Sequence, residues 1–225
     1  MIFSKNKIHL IAEVANSHEG KFDAAIKLID AAASSNADII KFQIFKANEL
    51  LESDHENFQL FKKLEFSFTQ WSKLVKYAKS KKLLVFTDVF GTSSAKIAYR
   101  LKVHGYKIHT SDVTNPFLLD FFSKLKTTIL LSTGGVTTKE ISNALDKLNF
   151  NSKEIVLMHG FQGYPTKFSD LHLSRIKTLK NEFGFPVGIM EHVSGNSELS
   201  IIAPLLGISL GATIVEKHIT LDRSL

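Results

Sequence analysis

Eight short apolar runs recur along the chain, at residues 8–15 (IHLIAEVA), 37–44 (ADIIKFQI), 83–90 (LLVFTDVF), 106–112 (YKIHTSD), 128–135 (TILLSTGG), 155–162 (IVLMHGFQ), 187–193 (VGIMEHV) and 213–219 (TIVEKHI). Each is rich in Ile, Leu and Val for most of its length. Continuous apolar runs, unlike strict alternation, predict strands covered on both faces. Seven segments of helical periodicity separate them. In FDAAIKLIDAAASS, Ala25, Ile26, Ile29 and Ala33 share one face. Ser67 with Gln70, and Thr137 with Glu140, fit capping boxes at later helix starts. Pro116 suits the first turn of another helix. The last segment, NSELSIIAPLLGISLGA, holds Pro204, which is expected to bend or shorten it.

Strands alternating with helices in this number predict a (β/α)8 barrel, the TIM-barrel architecture. A doubly wound open sheet fits less well. It needs a Gly-rich turn after its first strand, and EVANSHEG offers only Gly20. After the eighth run only LDRSL remains, too short for a closing helix. The expectation is therefore one barrel domain over residues 1–225, truncated at its C-terminus and lacking the last helix. The longest connection, FKANELLESDHENFQLFKKLEF, lies between the second strand and its main helix.

The chain has no cysteine, which excludes disulfides and thiolate metal sites. Any metal must use His, Asp or Glu. No apolar run approaches the roughly 20 residues that cross a bilayer. MIFSKNKIHLIAEVA has no small-residue cleavage site after its apolar stretch. A cytoplasmic protein with no membrane partner is expected. The net charge of +6 comes from lysines spread over helical faces, with a cluster only at Lys79, Lys81 and Lys82. Those three fall at a helix end, where cations suit the dipole. Nucleic acid is not an expected partner.

Barrel active sites lie at the C-terminal ends of the strands, and every run here carries polar groups there. The first ends in Glu13, with His18 in the loop. The second carries Lys41 and Gln43, two apart and so on one face. The third has Thr87 and Asp88, and the fourth Lys107, His109, Thr110 and Asp112. The fifth has Ser132 and Thr133, and the sixth His159, Gln162 and Tyr164. The seventh has Glu191 and His192, and the eighth Glu216 and His218. Lys41 and Lys107 can grip an anion. Ser132, Thr133 and the backbone near Gly134 and Gly135 can add neutral donors. His192 and His218 can hold a divalent metal, for which imidazole and carboxylate favour Mn, Zn or Mg. Glu13 can act as a base or orient a water. Structural roles compete at single positions: a histidine at a strand end is commonly a hydrogen-bonded core residue, and Lys41 could pair with Asp38 or Glu49. Glu216 and Lys217 are adjacent on a strand and so face opposite ways, which argues against a pair between them.

The blocks IAEVANSHEG, ADIIKFQIFKA, YKIHTSDVTN, ILLSTGG, MHGFQGYPT, VGIMEHVSG and GATIVEKHITLD, in this order, resemble the sialic acid synthase family from about Ile8 to Asp222. The resemblance implies a barrel that condenses phosphoenolpyruvate with an N-acetylated mannose-type sugar and releases phosphate. It implies Glu13, Lys41 and Lys107 as catalytic residues, the two lysines binding phosphoenolpyruvate. It places Thr87, Thr110 and Ser132 as hydroxyl donors to the phosphate. Gln43, Asp112, Gln162 and Tyr164 would belong to the substrate pocket. His192 and His218 would hold a catalytic Mn2+, or Mg2+. A homodimer and a C-terminal antifreeze-like domain are also implied. The chain departs from the family at ANSHEG, at Met190-Glu191-His192, at Gln162 and at Asp112. Two other readings stay open: a Schiff-base aldolase barrel built on Lys107, and a non-catalytic barrel that binds a phosphosugar.

Overall fold

A computed structural model of the chain describes residues 2–4, 7–152 and 154–223. Among these lie β1 (His9–Glu13), β2 (Ile39–Ile44), β3 (Leu84–Val89), β4 (Gly105–Ile108), β5 (Thr128–Ser132), β6 (Glu154–His159), β7 (Val187–Met190) and β8 (Ile214–His218). They close a parallel barrel in chain order, with β8 pairing back onto β1. The crossovers are α1 (Phe22–Ser34), α4 (Phe68–Ser80), α5 (Gly91–Arg100), α6 (Pro116–Ser123), α7 (Thr138–Lys147), α8 (Arg175–Phe183) and α9 (Leu199–Ser209). The short α2 (Ala47–Leu50) and α3 (Phe58–Leu64) fold the long connection after β2. Beyond β8 the described residues Ile219 to Arg223 form no helix. No described helix is long and apolar enough to cross a membrane.

The strands carry two apolar layers because both of their faces are covered. Ile11, Ile39, Phe86, Leu130, Val156, Met158, Met190 and Ile214 fill the barrel. Their neighbours, such as Ile40, Phe42, Val85, Leu131, Leu157 and Val215, pack outward against the helices. Gly188 has a steric role: a Cβ there would lie 2.5 Å from Met158 Sδ in the filled interior. The lower end is closed by Phe3, whose ring meets those of His9 at 5.1 Å and Phe86 at 6.0 Å. Glu154 fastens that segment, accepting from the backbone N–H of Ile2 at 2.7 Å and of Phe3 at 3.0 Å.

Local signals behave as their chemistry dictates. Both capping boxes form, at Ser67–Gln70 and Thr137–Glu140. Pro116 opens α6 beneath the Asn115 cap. Two expectations need correction. The fourth strand does not reach Asp112: the ladder ends at Ile108 and Thr110–Asp112 is a single 3-10 turn, capped by His109 accepting from the Ser111 N–H. Nor does Pro204, expected to bend or shorten the last helix, cut it short at the proline, since α9 continues through it to Ser209. Proline lacks the N–H that would bond the carbonyl four residues earlier. Here Lys217 Nζ donates to that carbonyl, Ser200 O, at 3.0 Å.

Candidate active site

Period-2 alternation turns Glu13, Lys41, Asp88, Lys107 and Glu216 into the upper barrel, above the apolar filling. Register brings them together: Glu13 lies beside Lys41, and Asp88 beside Lys107. Lys41 Nζ is 2.6 Å from Glu13 Oε2 and 3.5 Å from Glu216 Oε1, and it also bonds Asp88 Oδ2. Lys107 Nζ donates to Glu216 Oε1 at 2.7 Å and stands 3.7 Å from Asp88 Oδ2. These side chains are at most 6% exposed, so the charges interact with little screening by water.

The two glutamates are driven apart. Burial pushes Glu13 up to about 7, against the pull of Lys41. Burial also works to raise Glu216, but Lys107 and Lys41 overcome it and hold that carboxyl down at about 2. Burial opposes the charge on Lys41 as well, yet Asp88, Glu13 and Glu216 raise its pKa above the ordinary lysine range. One carboxyl thus exchanges protons near neutrality beside another that stays ionised, a separation that suits acid–base chemistry.

Above the cluster opens a cavity of about 120 Å3, whose lining includes Glu13, Gln43, Asp88, Lys107, Ser132, Gln162, Tyr164, His192, Glu216 and His218. Two of its lining residues, Gln162 and Ser132, are linked through Thr110, which stands outside the lining. Gln162 Nε2 donates to Thr110 Oγ1 at 3.0 Å, and Thr110 donates to Ser132 Oγ at 3.0 Å. The β5 and β6 ends approach closely there: a Cβ on Gly134 would lie 2.2 Å from Gly160 O.

The opposite rim holds the imidazoles. The rings of His192 and His218 are 5.3 Å apart, and the Tyr164 ring sits 5.6 Å from the first and 5.9 Å from the second. His192 Nδ1 is 2.9 Å from Phe161 O. A carbonyl only accepts, so Nδ1 carries a proton and donates there, which leaves Nε2 for another partner. Burial lowers the His218 pKa to about 4, with Glu216 opposing, so this ring is neutral at pH 7. Two neighbouring imidazoles, that of His192 with Nδ1 tied to a carbonyl, are donors of the type that suits a divalent metal. Among the described residues no group of three His, Cys, Asp or Glu gathers as a complete ligand set.

The structure gathers most, but not all, of the residues singled out in the sequence. Lys41 is fully buried beneath the cavity floor. Thr87 is not brought to the mouth. It lies between inward Phe86 and Asp88, on the outward face with Val85 and Val89, and its Oγ1 is buried without a hydrogen-bond partner among the described residues. Asp112 also stays outside the lining. It accepts from Gly91 N at 3.3 Å and Asn115 Nδ2 at 2.7 Å, bracing two loops. His159 donates to Leu171 O at 2.8 Å on the outer face, and His18 packs on Phe66. Asp88 and Glu216 are at the centre of the site, although neither belonged to the catalytic set drawn from the family pattern.

A search of protein families matches the NeuB family model over residues 28–225. An uncharacterised Methanocaldococcus jannaschii protein is 34% identical over 217 residues, covering 96% of this chain and 63% of that protein. The N,N'-diacetyllegionaminic acid synthase of Campylobacter jejuni is 32% identical over 236 residues, covering 97% of this chain and 69% of its own length. The crystal structure of an N-acetylneuraminic acid synthetase from Leptospira borgpetersenii superposes with a TM-score of 0.91 at 32% identity, covering 97% of this chain and 75% of that one. This chain is a (β/α)8 barrel, and it belongs to the NeuB family. It spans about two thirds of the length of these curated relatives.

Proposed function

We propose that this barrel condenses phosphoenolpyruvate with an N-acetylated mannose-type amino sugar, giving a nine-carbon 2-keto acid and phosphate. The observation that carries the reading is the pairing of a buried lysine cluster with a two-histidine rim across one small cavity. The activities of similar proteins, legionaminic, pseudaminic and sialic acid synthases, support the same class.

Lys107 would meet the phosphoenolpyruvate anion directly, with Lys41 acting from beneath. Ser132, Thr110 and Gln162 would donate neutral hydrogen bonds to it. This holds the methylene carbon in place for attack on the open-chain aldehyde. A C–C bond forms, and the aldehyde oxygen takes up a proton. Water then adds at C2, the C–O bond to phosphate breaks, and phosphate leaves. Glu13, poised near neutrality, can accept the proton of that water. His192 and His218 would hold Mn2+, or Mg2+, whose contribution when bound is Lewis-acid polarisation of the aldehyde. The cavity is small beside the ~300 Å3 lower range of ligand clefts. The amino sugar would therefore extend past Tyr164, which is 75% exposed. A homodimer whose partner contributes a C-terminal antifreeze-like domain would cover it there. Schiff-base chemistry fits less well, because Lys107 is engaged by Glu216 and that chemistry needs a free amine.

The test is phosphate release from phosphoenolpyruvate with Mn2+, with and without N-acetylmannosamine or diacetamido sugars, beside His218→Ala. Sugar-dependent release that needs both the metal and His218 supports the reading. No release from folded protein with any of these sugars refutes it.

A further inference from the structure

The lysines expected to bind an anion already hold one. Glu13, Asp88 and Glu216 face Lys41 and Lys107, three carboxylates against two ammonium groups. Asp88 on β3 is within contact range of both lysines, as Glu216 on β8 is, and both line the cavity. Asp88 Oδ2 is engaged by Lys41, whereas its Oδ1 is buried without a hydrogen-bond partner among the described residues. Once Glu13 is ionised, the carboxylates outnumber the ammonium groups by one. Asp88 holds Lys41 and faces Lys107, where an incoming phosphate or carboxylate would seek the same ammonium groups.

We propose that Asp88 is a specificity-determining residue that acts as a built-in competitor for the anionic end of the substrate. This rests on the phosphoenolpyruvate reading above. Asp88 keeps the lysine pair charge-satisfied when the site is empty. A ligand anion must share or displace it, so the site holds dianions weakly and releases phosphate readily. Like charges at this spacing in a dry site oppose one another strongly. Glu191 and the lysines on the outer face do not enter this balance, since Lys217 points away to Glu191.

The experiment is calorimetric titration of inorganic phosphate and of phosphoenolpyruvate, at pH 8 and constant salt, into wild type, Asp88→Asn and Asp88→Ser. Thermal melts accompany each protein. The expected result is that both variants bind both anions at least tenfold tighter, about 1.4 kcal/mol, with the gain lost in Asp88→Asn/Lys107→Met. Tighter binding that disappears with Lys107 traces the gain to the ammonium group that Asp88 faces. Unchanged or weaker binding by folded variants, while wild type binds, overturns the role of Asp88 and leaves the phosphoenolpyruvate reading standing. Absence of binding by wild type and by both folded variants overturns the phosphoenolpyruvate reading and this inference with it. Failure of both variants to fold marks Asp88 as an obligatory structural counter-ion and also overturns the proposal.

Discussion

Lys217 offers the sharpest test of how the site is held. It follows inward Glu216 on β8, so its side chain emerges on the outer face. There it pairs with Glu191 and donates to the Ser200 carbonyl that Pro204 leaves unbonded. The Glu191 side chain is only 1% exposed and that of Lys217 is 30% exposed. Lys217→Met keeps the stem and removes both interactions. Losing one partner of a buried ion pair costs about 3–5 kcal/mol. Water reaching the partly open Lys217 position trims this, and the orphaned carbonyl adds about 1 kcal/mol. The expected loss is roughly 2–4 kcal/mol, read as a lower urea midpoint at constant m-value. Glu191→Gln/Lys217→Met should recover part of the loss, because no charge is then stranded. Pro204→Ala in the Lys217→Met background should recover about 1 kcal/mol by restoring a helical N–H for Ser200 O. Since Glu191 precedes His192, metal affinity should fall in parallel. A Lys217→Met protein within about 0.5 kcal/mol of wild type would refute the argument, as would a double variant no better than the single one.

Three further outcomes follow from the buried groups. Glu13, at about 7 when folded against a reference of 4.5, adds stability that is full below pH 4.5 and lost as pH rises through 7. Glu216, at about 2, adds stability present above pH 4.5 and lost as pH falls through 2. Thermal melts should therefore decline by about 2.5 kcal/mol between pH 5 and 8 in wild type, and Glu13→Gln should flatten that slope; parallel slopes would reject the assignment. Thr87→Val should leave phosphoenolpyruvate affinity unchanged and alter stability by no more than about 1 kcal/mol, in the stabilising direction, because the hydroxyl it removes is buried without a partner. A clear loss of affinity in calorimetry would return Thr87 to the site. Paramagnetic resonance of added Mn2+ should show uptake by wild type and at least tenfold weaker uptake by His192→Ala and by His218→Ala, since even outer-sphere losses cost about 10–100-fold. Equal uptake by all three would place the metal elsewhere.

The barrel was legible because its signal repeats. Eight apolar runs, each ending in polar residues, read as strands whose ends meet at one mouth, and all eight pair in chain order. The inward parity of each strand was harder to read. In LVFTDV both alternating sets look apolar, because one set faces the filled interior and the other the helices. Hydropathy therefore could not decide between Thr87 and Asp88. The available clue was electrostatic: a carboxylate on a doubly covered strand is costly unless it meets cations, and the lysines of β2 and β4 stand on either side of it. Asp112 was misplaced for another reason. It lies past the strand end, where a 3-10 turn replaces period 2 and sends the carboxylate sideways into the α5 and α6 loops.

The run Glu216-Lys217-His218 shows how one strand end serves three environments. Glu216 enters the barrel to neutralise Lys107, Lys217 leaves it to hold Glu191 and α9, and His218 reaches the rim beside His192. Only the middle residue is explained by stability. A barrel interior filled with apolar groups, as the lower half is, would be at least as stable as five buried charges, because desolvating ions commonly costs more than their pairing returns. The charged upper half therefore gives up stability, and the gain lies in chemistry: two cations held rigid beside a carboxyl that exchanges its proton near pH 7. On this view Asp88 is a carboxylate that faces both cations where an anion would bind. Its removal should improve the grip on anions without dismantling the site.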